Sequence, residues 1–144
     1  MTSKLNLKKL TISGLRGVSN PLTLNFEKTF TLIFGHNGTG KTSICDAIDF
    51  LANGDCSSLG DNSLGSARHK FWPFVGKKSS DVAVDLSLSD GSSWRATILG
   101  TKTSVSVSSK RELPVVKVWR RKQMMDLILA KPLCNSTQFS TAIS

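Results

Sequence analysis

One stretch of this sequence has the residue types and the spacing of a phosphate-binding loop. Residues 35–42 read GHNGTGKT and fit the pattern G-x-x-x-x-G-K-[ST]. Glycines let a chain curl tightly around an anion, and the N-terminus of a following helix adds N–H donors and partial positive charge. In this pattern Lys41 reaches the β and γ phosphates of a nucleotide, and the Thr42 hydroxyl binds Mg²⁺.

The elements on either side of the loop must hold it in place. Residues 30–34, FTLIF, form an apolar run that predicts a strand buried on both faces. Asn53-Gly54 is typical of a helix end. Between the loop and this stop, apolar residues recur at helical spacing, at Ile44, Ala47, Ile48 and Leu51. The order strand, loop, helix favours a true nucleotide loop over a chance match in a glycine-rich turn.

Two further strands are predicted before the loop. Residues 4–12 form the first, with a shift of register that a bulge would absorb. Residues 22–26 alternate between apolar and polar and form the second. A turn-rich connection separates the two strands.

After the helix, the sequence predicts a loop and then an antiparallel meander. Residues 53–70 are rich in Gly, Ser, Asn and Asp, which predicts a long surface loop of a kind that can be mobile. The aromatic residues of 71–74 could pack this loop on the core or form an exposed contact patch. From residue 82 to 107, apolar and polar residues alternate, with a hairpin signal at Asp90-Gly91.

Asp85 lies after an apolar run and superficially matches the aspartate that holds Mg²⁺ in phosphate-loop enzymes. The strict period of two instead predicts that Asp85 lies on the solvent face of a hairpin strand. We therefore exclude Asp85 as a metal ligand. Further on, residues 114–119 predict a strand and residues 123–130 a helix that ends at Lys131-Pro132.

The composition predicts one globular domain with an acidic partner. The 144 residues carry a formal net charge of +9, from 19 Lys and Arg against 10 Asp and Glu. Nucleic acid is the commonest partner of so basic a domain. The densest basic group is Lys110, Arg111, Lys117, Arg120, Arg121 and Lys122. It predicts either a solvated face or a surface that binds the phosphate backbone of DNA.

The sequence predicts neither a secreted nor a membrane protein. It shows no signal-peptide pattern and no apolar run of membrane-spanning length, so we expect no membrane segment and a cytoplasmic location. The three cysteines, Cys45, Cys56 and Cys134, are widely spaced and suit neither a disulfide framework nor a zinc site.

Together these motifs resemble the N-terminal half of the ATPase head of SMC-like proteins, the RecF-, SbcC- and double-strand-break-repair-type ATPases of the ABC class. The loop GHNGTGKTS, the helix ICDAIDFL, the meander and the stretch VWRRKQMMDLIL carry the resemblance. It implies an α/β fold, a P-loop NTPase lobe in which N-terminal strands, phosphate loop and helix precede an antiparallel β-meander. The implied ATP-binding lobe covers residues 1–132, and residues 133–144 form a tail without clear pattern.

The resemblance also implies ATP and Mg²⁺ as cofactors and carries over individual residues. Arg16, in the GLRG turn, resembles a family arginine near the nucleotide phosphates or the DNA; the alternative is an ordinary loop arginine. Gln123 resembles the Q-loop glutamine that senses Mg²⁺ and the γ phosphate; the alternative is a surface residue at a helix start. The implied cofactor-binding residues are Asn37, Gly38, Thr39, Gly40, Lys41, Thr42, Arg16 and Gln123, with Thr42 and Gln123 at the metal.

The sequence departs from the family pattern after Gln123. It lacks the aspartate–glutamate pair needed for hydrolysis, the serine-glycine signature, and the heptads of a coiled-coil arm. We therefore expect an incomplete head that lacks the C-terminal lobe, needs a second ATPase lobe or a homodimer partner, and shows negligible hydrolysis alone. The predicted function is the ATP-binding lobe of an SMC-like ATPase in DNA repair or DNA-directed defence.

Three alternative functions differ in class. Half of an ABC transporter ATPase and a non-catalytic nucleotide-binding or interaction module remain open. A switch GTPase is disfavoured because the sequence has neither N-K-x-D nor D-x-x-G.

Overall fold

The strands of this protein pair into an antiparallel sheet. The computed structural model describes residues 6–28, 30–60 and 64–107. The strands are β1 (Leu7–Ser13), β2 (Leu22–Asn25), β3 (Ala83–Leu88), β4 (Ser93–Leu99) and β5 (Lys102–Val107). Their order across the sheet is β2-β1-β3-β4-β5, and each strand is antiparallel to its neighbours. The predicted meander is thus confirmed as β3, β4 and β5, and the first two predicted strands are confirmed as β1 and β2.

Alternation along these strands gives the sheet one apolar and one polar face. The apolar face carries the buried residues Leu10, Ile12, Val84, Leu86, Trp94 and Ala96. The polar face carries a row of paired residues that crosses all five strands: Thr23, Thr11, Asp85, Arg95 and Ser106. The predicted register shift in the first strand lies between Leu7 and Lys9.

The helix α1 (Lys41–Asn53) packs on the apolar face of the sheet. Its buried apolar residues are Ile44, Ala47, Phe50 and Leu51. It ends at Gly54, whose positive φ of 73° suits glycine and whose N–H donates to the Phe50 carbonyl at 3.1 Å. The predicted helix and its stop are confirmed.

The prediction of a strand over residues 30–34 is wrong. These residues form no strand, and Phe30, Leu32 and Phe34 are 79%, 73% and 88% exposed. A strand needs a neighbour to receive its backbone hydrogen bonds, and no described strand pairs with this segment. Apolar composition alone therefore does not bury it.

The segment after α1 is more ordered than its composition predicts. It contains two short 3-10 helices, Ser57–Leu59 and Gly65–Phe71, and a third, Ser79–Asp81, precedes β3. Cys56 is fully buried. Both alternatives for the aromatic stretch hold in part, because Trp72 is buried against Phe50 and Phe71 is 47% exposed. The strand and helix predicted over residues 114–130, and the tail, lie outside the described residues.

Candidate nucleotide-binding site

The phosphate-loop motif joins directly to the N-terminus of α1. The helix begins at Lys41, immediately after Gly40. Gly38 and Gly40 have φ angles of 85° and 87°, a left-handed conformation that side chains with a Cβ rarely adopt. A Cβ on either glycine would meet no atom within 4 Å, so backbone conformation rather than crowding requires glycine here.

The first turn of α1 leaves the N–H groups of Lys41 and Thr42 open to an anion, while the Ser43 N–H donates to the Gly40 carbonyl at 3.0 Å. No side chain caps the helix at Gly40, and the first turn contains no acidic residue. The first N–H groups of a helix have no intrahelical acceptor, and the helix dipole makes this end partly positive. Such an end is a binding site for phosphate.

Lys41 folds back over the loop. Its Nζ donates to the carbonyl oxygens of Gly35 at 2.7 Å and His36 at 2.6 Å. The Thr39 hydroxyl also donates to the His36 carbonyl, at 2.8 Å. The ammonium group is therefore already held at the mouth of the loop, where a phosphate would replace carbonyl oxygens as its acceptor.

Asn37 and Thr42 are exposed, and neither side chain has a hydrogen-bond partner within the described ranges. The Thr42 hydroxyl is thus accessible to a ligand next to the uncapped helix end. No group of three or more His, Cys, Asp and Glu residues that could hold a metal occurs in the described part of the chain. Mg²⁺ usually keeps several waters and binds phosphates with one or two protein oxygens, so the Thr42 hydroxyl fits it as a single protein ligand.

Arg16 lies beside α1 rather than free at the loop. Its Nε donates to the carboxylate of Asp46 at 3.3 Å, and its Nη1 donates to the Phe71 carbonyl at 3.0 Å. The backbone N–H of Gly17 donates to the Ser43 hydroxyl at 3.0 Å. The structure thus places Asn37, Gly38, Thr39 and Gly40 in the loop, Lys41 and Thr42 in the first turn of α1, and Arg16 at the side of the helix. Gln123 and the basic group of residues 110–122 lie outside the described residues.

Two buried aspartates of α1 are site elements that the sequence analysis missed. Asp46 and Asp49 are only 3% and 4% exposed. Asp46 accepts the backbone N–H and the hydroxyl of Ser58, and Asp49 accepts the Ser57 N–H at 2.8 Å. Both carboxylates therefore tie the following segment to the helix. Their signal in the sequence was two aspartates among the apolar residues of one helix, just before a run rich in Ser, Gly and Asn.

Asp85 takes no part in this site. It lies on an antiparallel strand, and its two carboxylate oxygens accept hydrogen bonds from Arg95 Nη1 at 3.0 and 3.2 Å. Its exclusion as a metal ligand is consistent with this position on the polar face.

The two described cysteines are not activated nucleophiles. Burial, and then the neighbouring Asp46 charge, raise the pKa of the Cys45 thiol above its ordinary value. Burial is also the largest cause that raises the pKa of Cys56, with Asp46 adding to it. Both thiols therefore stay protonated at neutral pH.

Comparison with known proteins decides the family. Residues 9–136 match the AAA domain family AAA_23. This chain belongs to that family. A chromosome partition protein Smc from Halothermothrix orenii is 50% identical over 62 residues, which are 43% of this chain and 5% of that protein. The chain is an SMC-like P-loop ATPase sequence with an α/β fold, as the motifs predict.

Two other relatives have different names. The DNA replication and repair protein RecF of Natranaerobius thermophilus is 44% identical over 50 residues, 35% of this chain and 13% of that protein. The Septu protein PtuA of Bacillus thuringiensis is 42% identical over 59 residues, 40% of this chain and 15% of that protein. The chain therefore aligns with only a small part of the length of its curated relatives.

Solved structures support the fold. One, described as the structural biochemistry of ATP-driven dimerization and DNA stimulated activation of SMC ATPases, superposes with a TM-score of 0.52 at 22% identity, over 86% of this chain and 78% of that chain. The Smc head domain with a coiled coil and joint from Pyrococcus yayanosii gives a TM-score of 0.55 at 23% identity, over 88% of this chain and 26% of that one. No helix in the described residues is long and apolar enough to cross a membrane.

Proposed function

We infer that this chain is the ATP-binding lobe of an SMC-like ATPase that works on DNA in the cytoplasm. The observation that carries this inference is the uncapped N-terminus of α1 behind a loop with two left-handed glycines and a lysine poised over it. In this reading the loop N–H groups and Lys41 hold the β and γ phosphates, and Thr42 provides one oxygen to Mg²⁺.

The first test is equilibrium binding of MgATP to the unvaried chain and to Lys41→Ala. We expect the variant to lose at least about 100-fold in affinity, because Lys41 supplies the charge on the phosphates and its loss leaves the triphosphate unneutralised. Lys102→Ala is the matched control, since Lys102 is an exposed lysine at the start of β5. Unchanged affinity in Lys41→Ala would refute the phosphate-loop assignment, and a chain that binds no ATP would favour a non-catalytic interaction module.

Hydrolysis by this lobe requires a second lobe or a partner head. The exposed apolar residues Phe30, Leu32 and Phe34 support this proposal, because such a run is typical of a surface that another protein element covers. Phosphoryl transfer also needs groups that position water and stabilise charge on the γ phosphate. The pure chain should therefore bind ATP with negligible turnover, and robust Mg²⁺-dependent hydrolysis by the chain alone would contradict the proposal.

DNA is the proposed macromolecular partner. The names of the Smc and RecF relatives and the DNA stimulated activation described for one structural neighbour support it. The net charge of +9 is consistent with binding to the phosphate backbone. Repair and DNA-directed defence are both proposed processes, the former supported by the name of the RecF relative.

Titration of a fluorescent duplex at several salt concentrations tests the DNA proposal. Affinity should fall steeply with salt, because each neutralised phosphate releases a counterion. Replacement of Arg120, Arg121 and Lys122 by Ala should make this slope shallower. A flat salt dependence would mean that the basic residues are merely solvated.

A further inference from the structure

We propose that Arg16 and Asp46 form a positioning pair that holds the phosphate-binding end of α1 in place, so that Arg16 acts on nucleotide binding through Asp46 and not by touching phosphate. The inference rests on the proposed ATP site.

Arg16 has an unusual backbone that its contacts maintain. Among the described non-glycine residues it is the one with a positive φ, at 52°. A residue with a Cβ occupies this left-handed region only at an energetic cost, and such residues are concentrated at functional sites. Its backbone N–H donates to the Trp72 carbonyl at 2.8 Å, and its Nη1 donates to the Phe71 carbonyl. These two hydrogen bonds tie the turn to the segment after α1. The Arg16 guanidinium also donates to Asp46 on the helix.

The acceptor on the helix is a carboxylate almost removed from water. The Asp46 side chain is 4% exposed, while that of Arg16 is 27% exposed. A buried carboxylate is unfavourable unless it is paired and hydrogen-bonded, and Arg16 and the two donors of Ser58 supply these partners to Asp46. The pair is therefore a fixed link between the GLRG turn and α1.

This link acts close to the phosphate loop. Ser43 and Asp46 are three residues apart and share one face of the helix. Gly17 donates a hydrogen bond to Ser43, and Arg16 donates one to Asp46. Two consecutive residues of one turn therefore bind the first two turns of α1. The turn fits tightly, because a Cβ at Gly17 would lie 2.8 Å from the Ser43 hydroxyl oxygen. Since α1 starts at Lys41, a shift of the helix would move Lys41 and the open N–H groups by the same amount.

The existing hydrogen bonds distinguish this role from direct contact with phosphate. The Arg16 guanidinium already donates to two acceptors, and both are protein oxygens on the side of α1 and on the segment after it. If Nε turned from Asp46 to a phosphate, Asp46 would lose its cation in a buried site. Positioning requires no such rearrangement.

A double-mutant cycle on ATP affinity tests the proposal in the full chain. Arg16→Ala and Asp46→Asn should each weaken MgATP binding by about 10-fold, since small misplacements of binding groups have large effects. The double variant should be no more than about twofold weaker than the weaker single variant, because both changes remove the same link. ATP and ADP should weaken by the same factor, because the whole loop is displaced. Thermal unfolding of each variant confirms that binding is measured on folded protein.

Arg95→Ala is the matched control. Arg95 makes the same type of pair with Asp85, at 3.0 Å, but on the polar face of the sheet. Its loss should leave ATP affinity within about twofold of the unvaried chain, because α1 packs on the opposite face.

Arg16→Lys keeps the proposal testable if Asp46→Asn does not fold. Lysine retains the charge that a phosphate contact would need, but its single ammonium lacks the fork that reaches both Asp46 and the Phe71 carbonyl. We expect at least about fivefold loss of affinity from this substitution, and full retention of affinity would overturn the inference.

The remaining outcomes would overturn either this inference or the proposed function. If Arg16→Ala weakens binding while Asp46→Asn binds like the unvaried chain, Arg16 contacts the phosphates itself and the inference is overturned. Unvaried affinity in both single variants overturns it as well. A chain that binds no ATP before any substitution refutes the proposed function, and this result is distinct from the other two.

Discussion

The two segments that flank α1 behave in opposite ways. The segment before it, residues 30–39, is apolar in its first half, yet every residue in it is exposed. The segment after it is mostly polar, yet it is anchored to the helix by Asp46, Asp49 and the buried Cys56. The comparison shows that partners, rather than hydrophobicity, decide which segment is fixed.

The two segments differ in which groups accept hydrogen bonds from their backbone N–H groups. After α1, the Ser57 and Ser58 N–H groups have carboxylate acceptors that the helix presents at fixed positions. Before α1, residues 30–34 have no strand beside them among the described residues, so neither their backbone nor their side chains gain from folding against the sheet.

Among these predictions, we expect removal of Asp49 to lower the free energy of unfolding the most, because Asp49 ties the segment after α1 to the helix. Asp49→Ala removes the acceptor of the Ser57 N–H and of the Asn53 amide, at 2.8 and 2.6 Å. We expect a loss of about 2–3 kcal/mol in the free energy of unfolding, because these bonds go to a buried charged group. Denaturant unfolding followed by circular dichroism measures it.

Asp81→Ala is the control for this prediction. Asp81 accepts the Lys78 N–H at 2.9 Å but is exposed, so its removal should cost less than about 1 kcal/mol. Equal losses in the two variants would mean that burial of the Asp49 carboxylate contributes nothing.

Alkaline pH should lower the free energy of unfolding through Cys56, which lies in the same segment. Because burial raises the pKa of this thiol in the folded state, its contribution to stability is present below the unfolded pKa of about 8.5 and is lost as the pH rises above it. Between pH 7.5 and pH 10 the unfolding free energy should fall by about 2 kcal/mol more with Cys56 than with Cys56→Ala. The measurement uses a chain in which Cys45 and Cys134 are replaced by Ala. Parallel pH profiles would show that the thiol does not couple to folding.

Polar substitutions before α1 should have the smallest effect. Leu32→Ser and Phe34→Ser should change the unfolding free energy by less than about 0.5 kcal/mol, because both side chains are largely exposed. Leu10→Ser, at a fully buried position, should cost several times more. Thermal and denaturant unfolding of the three variants test this, and a large loss in Leu32→Ser would mean that the run packs inside the folded chain.

Local patterns predicted most of the fold. The alternation in residues 82–107 specified the meander, and the spacing of Ile44, Ala47 and Leu51 specified α1, because both signals are contained in a few consecutive residues. The same rule failed for residues 30–34. Whether a short apolar run becomes a strand depends on a neighbour that is not encoded in the run itself.

The sequence by itself determined the phosphate loop, since its glycines, Lys41 and Thr42 lie within eight consecutive residues and need only a following helix. Tertiary structure alone decided the position of Arg16. Its partner Asp46 is thirty residues away along the chain and its other acceptor, Phe71, is fifty-five residues away. No local pattern encodes such a meeting, because it arises only when the turn after β1, the helix and the following segment pack on one face of the sheet.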